Sequence, residues 1–320
     1  MERRRAQNYL VSSLGIGTYL GAMDDATDAL YEEAIVTALN GGINFIDTSL
    51  NYRNQRSERA TGRALAAWFR DEHARAEAVI CTKAGYLVQN ATPAMMRAHD
   101  VAGNVHSLAP DFLDDQLGRS LSNLGLETVD VFYLHNPETQ LEFVSDEEFY
   151  SRIRNAFEFC EQAVTASRIR YYGVATWEAF RRGAASVSLR RLDTMAREAA
   201  GDRHHFRFVQ LPFNLAMPEA FTKPVEGTHT IIDLALELGI TVVASASILQ
   251  SRLSRGLPDE AKAAIPGFRT DAKRSLQFVR SCPGVSVALV GMSNANHVRE
   301  NLEVLDAPLL EPAAFRRLFA

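Results

Sequence analysis

The chain of 320 residues has only three cysteines, Cys81, Cys160 and Cys282, far apart and without CxxC or Cys/His spacing. Neither a disulfide framework nor a metal site is expected, and all three read as reduced thiols. No uncharged run reaches the roughly 18 residues of a membrane span. The start, MERRRAQNYLVSSLGIG, is basic, but no apolar signal region follows before the acidic pair Asp24 and Asp25. These absences predict a cytoplasmic protein with no membrane partner. Basic charge is not in excess either: 34 Lys and Arg stand against 39 Asp and Glu, a formal charge of -5. A broad phosphate-binding surface, and with it a nucleic-acid partner, is not expected, while a local anion site stays open.

Glycine-rich nucleotide loops are missing as well. Neither GxGxxG nor GxxxxGK[ST] follows a strand-like run, and Gly15-Ile16-Gly17-Thr18 has no third glycine at the required place. A classic dinucleotide-binding open sheet is therefore disfavoured.

What is present is an alternation, repeated about eight times, between short β-branched or aromatic runs and longer amphipathic segments. Strands are predicted at Leu14 to Tyr19, Ile43 to Thr48, Ala78 to Lys83, Val129 to His135, Arg170 to Ala175, Phe206 to Pro212, Thr241 to Ala246 and Ser286 to Gly291. Helices are predicted at Thr27 to Asn40, Ser57 to Arg70, Asp111 to Leu124 and Asp146 to Ser167, then at Trp177 to Ala199, Gly227 to Leu238, Thr270 to Arg280 and Asn294 to Leu302. The strand runs are apolar on both faces, as in a sheet covered by helices on one side and packed on the other. No linker or composition break divides the chain. The prediction is one α/β domain over residues 1–320, a (β/α)8 TIM barrel, with residues 303–320 as a C-terminal tail packing on it.

In a barrel, Asp47, Lys83 and His135 close their strands at one rim, and Tyr52 follows five residues after Asp47. A lysine cation beside a phenol lowers the phenol's pKa, and an aspartate neutralises and positions the lysine. Tyr52 is thereby expected to donate a proton near neutral pH, with His135 orienting a carbonyl oxygen or sharing that proton. The pair His204-His205 precedes a strand, so it reads as packing on the opposite face, with no metal role.

These residues arrive with their surroundings. Leu14-Gly-Ile-Gly-Thr-Tyr19, Gly42-Ile-Asn-Phe-Ile-Asp-Thr48 with Tyr52 and Ser57-Glu58, Ile80-Cys-Thr-Lys83, Leu124-Gly-Leu-Glu-Thr-Val-Asp-Val131, Tyr133-Leu-His-Asn-Pro137, Arg168-Ile-Arg-Tyr-Tyr-Gly-Val174 and Val298-Arg-Glu-Asn-Leu302 follow in order. Together they resemble the aldo-keto reductases along nearly the whole chain. The resemblance implies a barrel that binds a nicotinamide cofactor, NADP in preference to NAD, and reduces a small carbonyl substrate. Asp47, Tyr52, Lys83 and His135 would be its catalytic tetrad. It further implies cofactor contacts from Gly17, Thr18, Tyr19 and Asp47, from Gln210 on the carboxamide, and from Thr176, where the family's Ser-Asn pair reads Ala175-Thr176. On the seventh strand the family's aromatic-Ser-Pro-Leu run reads Ser245-Ala-Ser-Ile248, so the ring that stacks on nicotinamide is absent. Ser245, Ile248 and Gln250 would line the pyrophosphate path. Gly291, Met292, Ser293 and Asn294, with His297, Glu300 and Asn301, resemble the adenosine-phosphate loop and its helix.

A substrate pocket at this rim would be lined by Tyr52, Tyr86, His135, Asn136 and Trp177, with Met95 and Met96 nearby. Arg53 and Arg56 are expected as solvated side chains. Two rivals share the fold: a cofactor-binding regulatory subunit resembling potassium channel β-subunits, and a lyase or aldolase using Lys83 as a Schiff-base nucleophile. Oligomeric state is not legible.

Overall fold

The computed structural model describes residues 3–71, 73–89, 100–181 and 187–319. Eight parallel strands close into a barrel, each followed by a helix outside it. The first half contains β1 (Leu14–Gly17), α1 (Asp25–Asn40), β2 (Phe45–Asp47), α2 (Arg56–Arg70), β3 (Val79–Ala84), α3 (Pro110–Leu124), β4 (Val129–His135) and α4 (Asp146–Thr165). The second contains β5 (Ile169–Ala175), α5 (Leu189–Ala200), β6 (Phe206–Pro212), α6 (Ile231–Glu237), β7 (Thr241–Ser245), α7 (Asp271–Ser281), β8 (Val285–Gly291) and α8 (Ala295–Leu302). Neighbouring strands are consecutive in sequence, and β8 pairs with β1 to complete the ring.

The two-residue period of a strand decides which side chains enter the barrel. Phe45, Val79, Cys81, Val131, Tyr133, Phe208, Val243 and Val287 form one buried inner cluster. Ile46, Ile80, Phe132, Leu134, Val209 and Val242 alternate with them and pack in the layer shared with the helices. Two residues further along each strand, the inward row passes from Phe45 to Asp47, from Cys81 to Lys83, from Tyr133 to His135, from Phe208 to Gln210 and from Val243 to Ser245. The polar residues thus crown an apolar interior because they share the parity of its packing residues.

The opposite mouth is closed by an antiparallel hairpin of Arg3–Ala6 and Tyr9–Ser12, whose Ala6 and Val11 join the inner cluster. Periodicity in the basic N-terminal segment did not reveal it. At the other end of the chain, Phe315 is buried against Phe278 and Phe221, with ring centroids 5.2 and 5.1 Å away.

Seven of the eight helix starts differ from expectation, most by one or two residues, and three have a clear local cause. α3 begins at Pro110 with Ala109 as N-cap, because proline suits a first helical position, so Asp111 lies inside the first turn. α5 begins at Leu189, where the Ser188 side chain accepts from the Arg191 N–H. Trp177 instead sits in a turn, its N–H donating to Glu138 Oε1 at 2.7 Å. α6 begins at Ile231 with a capping box between Thr230 and Asp233, and a short hairpin of Pro224–Glu226 and His229–Thr230 precedes it.

Candidate active site

Strand register assembles the rim. Gly291, Gly17 and Asp47 lie side by side on β8, β1 and β2, as do His135, Ala175 and Gln210 on β4, β5 and β6. Lys83 is fully buried beneath them. Its Nζ donates to Asp47 Oδ2 at 2.5 Å, to the Thr48 carbonyl at 2.9 Å and to the Tyr52 hydroxyl at 3.4 Å, so each of its three protons has an acceptor. Asp47 Oδ1 accepts from Gln210 Nε2 at 2.8 Å.

Burial pulls the Lys83 ammonium down, but Asp47 and Tyr52 outweigh it and hold the pKa above its ordinary value. A lysine whose ammonium is favoured and held by three acceptors is a poor Schiff-base nucleophile, which weighs against the lyase reading. Tyr52 departs from expectation: burial raises its phenol, and the opposing effect of Lys83 is the smaller of the two. The phenol therefore keeps its proton through neutral pH and remains a donor. Burial, followed by the nearby Lys83 and His106, pushes the His135 imidazole well below its usual value, so it is neutral.

A cavity of about 400 Å³ opens above this assembly. Asp47, Tyr52 and His135 reach its floor, and Gly17, Thr18, Tyr19, Thr176, Gln210 and Gly291 line it along the strand ends. Ser245, Ile248 and Gln250 border it after β7, and Tyr86, Asn136 and Trp177 form the facing wall. Asn136 Nδ2 donates to the Tyr86 hydroxyl at 3.0 Å. The remaining candidates lie beyond the cavity. Met292 packs in the outer core, Ser293 is half-buried, and the Asn294 side chain caps α8 by accepting from the Asn296 N–H at 2.8 Å. His297 is exposed, Glu300 half-buried and Asn301 buried. Met95 and Met96 fall outside the described residues.

Sequence reasoning missed several neighbours of the candidate site. Ser247, within the Ser245-Ala-Ser-Ile248 run, lines the cavity with a buried Oγ that has no partner. Around it, Ala246, Leu249, Gln250 and Ser251 all adopt positive φ, between 46° and 71°. His106 is buried under the rim, its Nε2 2.7 Å from the His135 carbonyl. A carbonyl only accepts, so this nitrogen carries the proton, and Nδ1 accepts from Gln140 Nε2 at 3.0 Å.

Arg53 is not solvated as expected. It is buried, donates to the Ala22 carbonyl at 2.7 Å and to Asp28 Oδ1 at 2.5 Å, and so ties the Tyr52 loop to the segment that follows β1. Arg56 also turns to Asp28, at 2.8 Å, away from the cavity. His204 and His205 pair with Asp193 and Glu161 in the helical layer, at 3.4 and 2.8 Å. Among the described residues no cluster has the composition of a metal site, and no helix is long and apolar enough to cross a membrane.

Barrel, rim register and the Asp–Lys–Tyr–His assembly together define a class, and the match to known proteins agrees. Residues 13–318 match the aldo/keto reductase family, and the chain belongs to it. It is 29% identical over 186 residues to a Schizosaccharomyces pombe protein named aldo-keto reductase yakc [NADP(+)], covering 57% of this chain and 48% of that one. That match thus spans about half the length of the relative. A probable voltage-gated potassium channel β-subunit of Oryza sativa subsp. japonica is 22% identical, covering 97% of this chain and 92% of that one. Among solved structures, an aldo/keto reductase of Klebsiella pneumoniae in complex with NADP and acetate superposes with a TM-score of 0.70 at 20% identity, covering 99% and 95% of the two chains.

Proposed function

We propose that this protein is an NADP(H)-dependent oxidoreductase that reduces an aldehyde or ketone to an alcohol, or oxidises the matching alcohol, with Tyr52 as the proton donor. The observation that carries the reading is the Tyr52 hydroxyl on the cavity floor, 3.4 Å from a Lys83 ammonium that Asp47 holds in place. Fit to the cofactor is supported by an unpartnered donor where one is needed: Ser247 Oγ is buried, unsatisfied and lines the cavity beside the left-handed turn. Gln210 and Thr176, adjacent on the rim, would take the carboxamide, the turn of Ser245 to Gln250 the pyrophosphate, and Ser293 with the α8 N-terminus the 2'-phosphate. The S. pombe relative is named for NADP(+) and the Klebsiella structure holds NADP.

When bound, the nicotinamide supplies hydride to the carbonyl carbon. The chain supplies the rest. Tyr52 gives its proton to the oxygen as negative charge develops there, and the Lys83 cation stabilises the phenolate left behind. Asp47 holds Lys83 against the barrel interior, and the cavity walls fix the carbonyl near Tyr52.

The walls also support a substrate class. Asp47 is the only ionisable carboxylate or basic lysine or arginine side chain among the described lining residues, and Tyr19, Tyr86 and Trp177 give an aromatic mouth. An uncharged carbonyl compound with an apolar or aromatic substituent fits that wall. NADPH oxidation measured against neutral aromatic, aliphatic and carboxylate-bearing aldehydes tests the reading. Turnover of the neutral set that is lost in Tyr52→Phe is expected. Binding of NADPH without turnover of any carbonyl or alcohol would instead favour the regulatory-subunit reading.

A further inference from the structure

Arg53 directly follows Tyr52 and begins a run of three left-handed residues, Arg53, Asn54 and Gln55, with φ of 48°, 51° and 70°. Left-handed backbone costs free energy in a residue that carries a Cβ, and it persists where the surroundings hold it. The buried side chain runs from the Tyr52 loop to the loop between β1 and α1. Its Nε donates to the Ala22 carbonyl at 2.7 Å, and its Nη2 to the Asp24 carbonyl at 3.2 Å and to Asp28 Oδ1 at 2.5 Å. The guanidinium also lies over the Tyr31 ring, 5.4 Å from the centroid, and the Tyr31 hydroxyl donates to the Leu20 carbonyl at 2.5 Å.

Neutralising Asp28 does not require Arg53, because Arg56 and Arg63 meet Asp28 Oδ2 at 2.8 and 3.2 Å. Arg53 Nη1 is buried with no partner among the described residues, a further cost to stability. What the residue adds is a fixed path for the loop of residues 20–24. That path sets two side chains at the cavity: Tyr19, edge-on to Tyr52 with ring centroids 5.0 Å apart, and Leu20. Tyr19 is 54% and Leu20 41% exposed, so the loop backbone, more than packing, holds them in place.

We infer that Arg53 is a positioning residue that sets substrate selectivity. Its bonds to the β1–α1 loop hold Tyr19 and Leu20 as the cavity wall on which an apolar substituent of the carbonyl compound packs. A small aldehyde that reaches Tyr52 without touching that wall is indifferent to Arg53. The selectivity rests on the proposed function, whereas the clamp on the loop does not.

The test uses Arg53→Gly, because glycine adopts this φ without strain and Asp28 keeps two arginines. Chymotrypsin cleavage after Tyr19 or Leu20, located by fragment mass under native conditions, is expected to be at least tenfold faster than in the parent, with cleavage elsewhere unchanged. Arg53→Lys keeps the cation opposite Asp28 but loses the forked donor. It is expected to show the same local acceleration in smaller degree, and it decides the question if the glycine variant does not fold. Cleavage at the parent rate in the folded variant overturns the clamp. At saturating NADPH, KM for a neutral aromatic aldehyde is expected to rise at least fivefold with kcat within twofold, while both constants for a two-carbon aldehyde stay within twofold. Equal changes for the two aldehydes, or an unchanged KM for both, overturn the selectivity role. Faster loop cleavage with a parent that turns over no carbonyl refutes the proposed function, and the selectivity with it, and leaves the clamp standing. A parent that reduces both aldehydes, with loop cleavage unchanged in the variants, refutes this inference alone.

Discussion

Gln210 on β6 reaches across the top of the barrel and donates to Asp47 on β2, Nε2 to Oδ1 at 2.8 Å. One carboxylate therefore neutralises the buried Lys83 and anchors the side chain proposed to meet the nicotinamide carboxamide. Asp47→Asn leaves Lys83 fully buried with no counter-charge. Removing one member of a buried pair costs on the order of 3–5 kcal/mol, and that loss is expected in urea unfolding of the variant. Asp47→Asn combined with Lys83→Met is expected to cost less than the sum of the two single substitutions; simple additivity would show that the pair is not coupled.

Tyr52→Phe keeps the ring and removes the proton. Turnover is expected to fall by about 10²- to 10⁴-fold while NADPH affinity stays within about twofold of the parent. Retained turnover would remove Tyr52 from the chemistry.

Stability should respond to acid through His106. Burial pushes its imidazole from the ordinary 6.5 down to about 4. Between those values the unfolded chain takes up a proton that the folded chain refuses, so stability rises with pH in that window. The contribution is fully present above pH 6.5 and lost as pH falls toward about 4. It amounts to about 3 kcal/mol, with His135 acting in the same direction. Urea midpoints measured across the window should fall with acidity in the parent and fall less in His106→Gln. Equal slopes would place the acid sensitivity elsewhere.

The resemblance places Ser245 where an aromatic ring is expected, and no aromatic side chain borders the cavity on the β7 loop among the described residues. Ser245→Tyr is expected to restore a stacking face worth about 1 kcal/mol, seen as roughly fivefold tighter NADPH binding. Weaker binding would mean that the side chain obstructs the cofactor instead.

Much of the site was legible because strand period and strand end are local properties. Asp47, Lys83 and His135 close apolar runs of fixed parity, and that parity alone brings them together once the barrel closes. The support around them was not legible, because it depends on tertiary contacts between distant segments. Arg53 reads as solvated until Asp28, 25 positions earlier, is seen to receive it. His106 lies in a segment with no hydrophobic period, and only the fold carries it under His135. The expected fall in the Tyr52 pKa followed from charge alone; enclosure of the ring, which sequence does not show, reverses its sign.

The central claim, a nicotinamide cofactor seated over Tyr52, is tested most directly by tryptophan fluorescence. Of the two tryptophans, Trp68 is 3% exposed in the outer layer, while Trp177 is 37% exposed and borders the cavity. NADPH is expected to quench the emission saturably, NADH more weakly, and Trp177→Phe should abolish the quench. The absence of any saturable change with either dinucleotide, in a folded sample whose calorimetry also shows no binding, would contradict the account.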